Sequence, residues 1–419
     1  MKKLTNFLFS ICLLFSVTSL SAVGYLDTKV AENYYVTEEE SLNFYGLPLE
    51  CKATDMDVSV GLKNSTSVNG YKTKVSLFGV IPVKTVNVTK TKTTEVAVLG
   101  TPFGLKVYTE GVLVVGFSDV ETKNGTENPA KNCGIKVGDV ILSVNGKNVT
   151  SNTGMQNEIS KIKGQACELV VKREEKEFTV KLTPVLSKSD KTYKIGLWIR
   201  DSSAGIGTLT FFSPELNVVA GLGHGICDTD TGELVPFESG EFVNAEIVGI
   251  KKASGKTSGE LQGVFASGEI AELKENDITG VYGSTENIST AVNTLKIALK
   301  QEVQVGKAQI MTTLDDGGVK VYDCKIEKVY HNDSSKIKNM VIKITDEELL
   351  QKTGGIVQGM SGSPIIQNRK LIGAVTHVFV NDSTSGYGIF AENMLETAKK
   401  CGRTIVERSI INKRHHDLS

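Results

Sequence analysis

Short runs of Val, Ile, Leu and Thr, each closed by glycine, recur along this chain and constrain its fold more than any other feature. Gly111-Val112-Leu113-Val114-Val115-Gly116 is one, and Leu371-Ile372-Gly373-Ala374-Val375-Thr376 another. β-Branched side chains pack well on a pleated surface, and glycine supplies the positive φ that tight reversals need. With 41 glycines and only 8 prolines, the pattern predicts a mainly β protein with frequent turns. No heptad or solenoid period runs through it, which excludes a coiled coil and a repeat array. A length of 419 residues predicts two or three domains. Lys and Arg number 47 against 48 Asp and Glu, so no basic excess exists to bind nucleic acid by bulk electrostatics.

Met1-Lys2-Lys3 is a short positive start, Phe7 to Leu20 is almost wholly apolar, and Ser19, Ser21 and Ala22 are small. That directional order predicts an export signal over 1–24. Counted from Leu4 to Val23 the stretch is also long enough to remain as a membrane anchor, and both outcomes stay open. Of seven cysteines, Cys12 lies in this segment. The other six are scattered, with no metal-ligand spacing, and are expected to be mostly small buried residues, with any disulfide bridge left open.

Residues 25–95 are polar and weakly patterned, with an acidic cluster at Glu38-Glu39-Glu40. One segment stands out, Lys74 to Val88, containing Leu77-Phe78-Gly79-Val80-Ile81-Pro82. Its alternation predicts a strand broken by Gly and Pro, at the end of a linker. From 96 to 185 the pattern tightens into a buried strand, a short helix at Asn128–Cys133 and a strand closing on Asn145-Gly146. An amphipathic helix at Asn152–Lys163 and a final hairpin follow. The string Asn128 to Gly146, with its Gly138-Asp139-Val140-Ile141-Leu142-Ser143-Val144-Asn145-Gly146 core, closely resembles a PDZ domain. In PDZ domains a loop before a strand offers backbone N–H groups to a peptide carboxylate. The resemblance implies that Phe103, Gly104 and Leu105 form that peptide-binding loop here.

The region from 190 to 419 carries the candidate chemistry. In Gly359-Met360-Ser361-Gly362-Ser363-Pro364 a serine sits on a glycine-flanked turn with its hydroxyl uncrowded. The amides of Gly359 and Ser361 are placed to meet a developing oxyanion. A hairpin and a helical C-terminus follow, and the whole looks like the nucleophile region of chymotrypsin-like proteases. A serine hydroxyl needs a base. His415 and His416 lie in a polar tail and His331 in a loop, whereas His224 stands between glycines at a strand end, free to swing. His377, between Val375 and Val378, fits a wall residue better. For the orienting carboxylate, Asp346 lies fifteen residues ahead of Ser361, but it also suits a helix N-terminus. Asp201, Asp228 and Asp382 are rivals. Position 355, at the pocket base in chymotrypsin-like folds, is Gly, so no carboxylate supports a demand for Arg or Lys.

The strings Gly221 to Val235 and Thr353 to Asp382, with Leu77 to Val88, resemble the SpoIVB family of sporulation serine peptidases. The resemblance implies a mainly β chain, with a PDZ domain followed by a chymotrypsin-like double β-barrel and a C-terminal helix. It implies the catalytic set Ser361, His224 and Asp346, with Gly359 and Ser361 as oxyanion hole and neither metal nor organic cofactor. It further implies an exported serine endopeptidase acting between the forespore membranes, first anchored to the inner one. Such an enzyme processes itself and cuts the exported segment of a membrane-bound inhibitor protein. An intramembrane protease then activates the late mother-cell sigma factor. Peptide tails, or the N-terminal segment of the chain itself, are the partners implied for the PDZ domain. The competing class is an inactive PDZ-containing binding protein of the cell envelope. A quality-control protease is a third class, disfavoured because those proteins carry PDZ after the protease.

Overall fold

A computed structural model describes residues 2–416 except 38–40, 45–47, 58–69, 175, 255–256, 286–287, 289–293 and 333–334. The acidic cluster at Glu38-Glu39-Glu40 lies outside the described residues.

The apolar N-terminus is one helix, α1 (Lys2–Asp27), whose Phe7, Phe9, Leu14 and Leu20 are exposed. Its Thr5–Asp27 stretch is long and apolar enough to cross a membrane. The next region is more than a linker. Strands β1 (Asn33–Thr37), β2 (Leu49–Asp57), β3 (Gly70–Leu77) and β4 (Ile81–Thr91) form a sheet of their own, in the order β1-β4-β3-β2. Tyr34, Val36, Val75, Val86 and Val88 fill its core together with Leu26 from the end of α1.

After β5 (Glu95–Val98) comes β6 (Pro102–Phe117), a 16-residue strand that serves two units. Its first half pairs on one side with the strand Phe237–Lys251, as in Phe242↔Leu105. On the other side it pairs with the strand Leu197–Ser213, as in Ile206↔Gly104. Its second half pairs with Val140–Val144 and with the start of Leu197–Ser213, as in Val112↔Ile141 and Trp198↔Gly116. The break falls at Gly111, whose φ is +86°; a Cβ there would stand 2.4 Å from the Ile141 carbonyl oxygen, so only glycine passes. The PDZ-type unit therefore lies between two paired strands of a first barrel. The first half of β6, which the sequence places in a PDZ unit starting at 96, thus also pairs within that barrel.

The PDZ-type unit has its own core of Val112, Val114, Ile141, Leu169 and Val171, on which α3 (Asn152–Ile162) lays Met155 and Ile159. Ser151 caps α3 by accepting from the Gly154 N–H at 3.0 Å. It includes the short α2 (Pro129–Asn132), capped by Asn128. The first barrel closes around Phe103, Leu105, Phe242, Leu273 and Val281, and the second around Ile310, Ile326, Met340, Ile342, Val357 and Ile365. In the second barrel the short α4 (Glu347–Thr353) precedes the serine loop, and α5 (Ala391–His416) packs Met394, Ala398 and Cys401 against Phe211 and Tyr282. Cys167, Cys324 and Cys401 are buried, and Cys51 and Cys133 are partly buried.

Candidate active site

The serine loop is held by main-chain bonds that leave two amides unengaged. The Gln358 carbonyl accepts from the Leu261 N–H at 2.8 Å, and the Met360 carbonyl accepts from the Ser363 N–H at 2.9 Å. In a trans peptide the N–H points opposite to its carbonyl, so these bonds turn the Gly359 and Ser361 N–H groups away from them. Among the described residues neither N–H has an acceptor, whereas the intervening Met360 N–H is tied to the Val357 carbonyl. Gly359 has φ +94° and Gly362 φ +93°, and a Cβ on Gly362 would stand 2.0 Å from the Thr208 carbonyl oxygen. Glycine is thus required where the serine loop of the second barrel touches the first. Thr208 clasps the loop from that side: its N–H donates to the Ser361 carbonyl at 2.9 Å and its Oγ1 to the Gly359 carbonyl at 2.8 Å. Thr210 Oγ1 donates to the Gly362 carbonyl at 2.7 Å.

His224 comes from the first barrel. The chain reaches it through Leu222, a buried non-glycine residue at φ +66°, and Gly223 at φ +67°. That backbone costs energy and persists only where the surroundings impose it. The His224 Nδ1 lies 2.8 Å from the Gly225 carbonyl oxygen. A carbonyl can only accept, so Nδ1 carries the proton and Nε2 presents a lone pair. Burial lowers the pKa of His224, partly offset by this carbonyl, and keeps the imidazole neutral. His224, Ser361 and Gly359 line one cavity of about 280 Å³, whose apolar wall includes Leu105, Val107, Ile206 and Leu222. The Ser361 hydroxyl itself donates to the Thr376 carbonyl at 2.9 Å. It must rotate away from that acceptor to reach an imidazole.

The carboxylates are elsewhere. Asp346 caps α4, accepting from the Leu349 N–H at 3.0 Å, and its other oxygen accepts from the Asp323 N–H at 3.2 Å. It is not among the residues lining that cavity, and the bonds its carboxylate makes are those of a helix cap and of the neighbouring Asp323 amide. Asp228 is buried against Arg200 and accepts from the Asp230 and Thr231 N–H groups. Asp382 is taken up by Thr384 and Ser385, which hold its pKa below the usual value, and Asp201 accepts from the Asn152 N–H. Among the described residues, what fixes the His224 tautomer is the Gly225 carbonyl. His377, treated above as a wall residue, has its ring centroid 5.0 Å from that of His224. Desolvation and the neighbouring imidazole lower its pKa.

The expected peptide-binding loop is corrected. Phe103 is fully buried and stacks on Phe242 at 4.9 Å, Gly104 sits mid-strand with partners on both edges, and Leu105 faces the catalytic cavity. A strand hydrogen-bonded on both sides has no amide to offer a carboxylate. The groove of the PDZ-type unit lies instead between α3 and residues 193–199. It encloses about 670 Å³ lined by Met155, Gln156, Ile159, Ile195, Leu197 and Trp198. Its sequence signal was Ile195-Gly196-Leu197, a glycine at φ +82° between apolar residues, in a stretch that reads as a mere junction.

Residues 191–395 match the family described as SpoIVB peptidase S55, and residues 103–183 match the PDZ domain family. A curated relative, the candidate zinc metalloprotease LL2128 of Lactococcus lactis, is 38% identical over 77 residues, 18% of this chain; the chain spans 17% of that relative's length. Among solved structures, the PDZ domain of the SdrC-like protein Lmo2051 from Listeria monocytogenes is 20% identical. The likeness covers 22% of this chain and 90% of that one, with a TM-score of 0.18. The active form of the Rv3671c protease from M. tuberculosis is 14% identical over 48% of this chain and 75% of that one, with a TM-score of 0.28. The stretch that matches the SpoIVB peptidase family holds the glycine-bound serine and the half-buried histidine on one cleft, so the chain joins a SpoIVB-type serine peptidase domain to a PDZ domain.

Proposed function

We propose that the protein is an exported serine endopeptidase of sporulation signalling, held at the membrane by α1. It processes its own N-terminal region and cleaves the exported segment of a membrane-bound inhibitor protein in the space between the forespore membranes. That cleavage lets an intramembrane protease activate the late mother-cell sigma factor. The family match supports the biology, and one observation carries the chemistry: Ser361, a neutral His224 and two unengaged amides share one cleft.

In this reading the Ser361 hydroxyl leaves the Thr376 carbonyl and turns toward His224 as substrate binds. Nε2 takes its proton while Oγ attacks the scissile carbonyl. The Gly225 carbonyl steadies the imidazolium through Nδ1–H, a weaker partner than a carboxylate. The Gly359 and Ser361 amides bind the oxyanion, a contribution of about 3–4 kcal/mol per donor in comparable sites. His224 then returns the proton to the leaving amine, and water hydrolyses the acyl-enzyme. The groove at Ile195-Gly196-Leu197, rather than Phe103-Gly104-Leu105, takes peptide tails, in cis or in trans.

The test is expression with and without Ser361→Ala, with mass spectrometry of fragments near α1. Cleavage in the wild type and none in the variant is expected. The same fragments from both would leave an inactive PDZ scaffold as the better reading.

A further inference from the structure

The Leu77–Pro82 segment stands out in sequence and is used by nothing in the catalytic site. It is the tip of the β3–β4 hairpin, with Phe78 at φ +49° and Gly79 at φ +69°. A two-residue turn with both φ positive favours Asn-Gly, and an aromatic residue at its first position is unfavourable. Phe78 is nevertheless there, 67% exposed, followed by Val80 at 80%. Local turn chemistry and water both oppose this choice, so the tip is built for an apolar neighbour.

The surroundings identify that neighbour. Leu77 and Ile81, which flank the tip, share one apolar cluster with Ala22 and Leu26 of α1. Lys84 on β4 donates to the Val30 carbonyl at 3.2 Å, tying the hairpin to the chain just beyond the helix. Tyr25 is exposed at the end of α1, with the Lys29 ammonium 5.4 Å from its ring centroid. Tyr and Lys at the end of an apolar span mark the depth of the lipid headgroups. The hairpin tip is rooted at that level.

We infer that Phe78 and Val80 insert into the bilayer interface beside α1. They form a second lipid contact that sets how the peptidase stands on the membrane. The partner is the headgroup–acyl boundary of a phospholipid leaflet. The inference rests on the reading of α1 as a membrane segment, and the experiment separates the two.

The full-length protein, in a Ser361→Ala background that cannot release α1 by self-cleavage, is reconstituted into phosphatidylcholine–phosphatidylglycerol vesicles with Trp198→Phe and one new tryptophan, from Phe78→Trp, Val80→Trp or Val380→Trp. Val380 is the control, 80% exposed on a hairpin of the second barrel. The expected result is several-fold stronger quenching by brominated phospholipids at positions 78 and 80 than at 380, with iodide showing the reverse order. Vesicles are also floated after an alkaline carbonate wash. Protein that stays with the vesicles while positions 78 and 80 behave like 380 overturns the lipid contact alone and leaves a protein partner for the tip. Protein that washes off overturns the α1 reading and the lipid contact with it.

Discussion

Thr208→Val removes one oxygen from the contact on which the proposed mechanism depends. The substitution keeps shape and volume, and it keeps the Thr208 N–H bond to the Ser361 carbonyl. It deletes the 2.8 Å bond from Oγ1 to the Gly359 carbonyl. Thr208 is 2% exposed, so water cannot readily replace the lost donor. A buried acceptor left unpaired costs about 1–3 kcal/mol. The carbonyl freed belongs to the peptide following Gly359, and it shifts the residue whose N–H is one oxyanion donor. If the shift forfeits a third to a half of one donor's ~3–4 kcal/mol, acylation slows about 10-fold, since about 1.4 kcal/mol is a factor of ten. The assay is the rate at which Ser361 reacts with a fluorophosphonate, alongside urea denaturation of the same samples. A lower urea midpoint together with slower labelling is expected. Wild-type labelling with a lowered midpoint would refute the idea that this clasp shapes the oxyanion site. Wild-type values of both would refute the clasp itself.

Asp346→Asn keeps a good N-cap but loses the acceptor for the Asp323 N–H, so it is expected to leave labelling unchanged with a small loss of stability, whereas Asp346→Ala lowers stability by about 1 kcal/mol or more without slowing labelling. A loss near 10⁴-fold in Asp346→Asn, the scale expected of a tautomer-fixing acid, would restore it to the catalytic set. Because burial lowers the pKa of His224, the acid limb of the labelling rate lies below the ordinary histidine value of about 6.5; a limb above it would contradict the half-buried, neutral base. For stability the sign is the same at His331, which burial holds down to about 4. The unfolded chain takes up the proton first, so this contribution is complete above about pH 6.5 and is lost as pH falls toward about 4, measurable as a drop in urea midpoint. Replacing 110–200 with a two-residue turn joins strands already paired at Ser202↔Tyr108 and is expected to leave a barrel that folds and labels. An unfolded product would mean that the PDZ-type unit supplies part of the barrel's stability.

Ser361 and His224 were legible because their glycines answer to backbone geometry. Gly223, Gly359 and Gly362 all sit at positive φ, and such demands leave a mark in the sequence. The group that bonds His224 left no mark, because the Gly225 carbonyl is one that every residue has. Asp346 drew notice for its place ahead of the serine, yet the same carboxylate satisfies a helix N-terminus, and no spacing rule distinguishes the two. The mainly β class, the α3 helix and the Asn145-Gly146 turn followed from local pattern alone. The four-stranded N-terminal sheet did not, since β1 pairs in parallel with β4 across a long polar stretch.

The misplaced peptide loop has a different cause. Within β6, Phe103-Gly104-Leu105 and Val112-Leu113-Val114 share the apolar character of a central strand, and composition cannot say that they serve different cores. Only the pairing partners do: Phe103 and Leu105 face Phe242 in the first barrel, and Val112 faces Ile141 in the PDZ-type core. Those partners lie far along the chain, on segments that must close long loops before they meet. The same long-range pairing makes Leu197–Ser213 a single strand that begins at the groove of the PDZ-type unit and ends beside the serine loop. Leu197 and Ile199 line the groove, and Thr208 and Thr210, on the same strand, hold the carbonyls of Gly359 and Gly362. One paired strand therefore links the two cavities, with register shifts at Trp198/Ile199 and Arg200/Ser202 on the way.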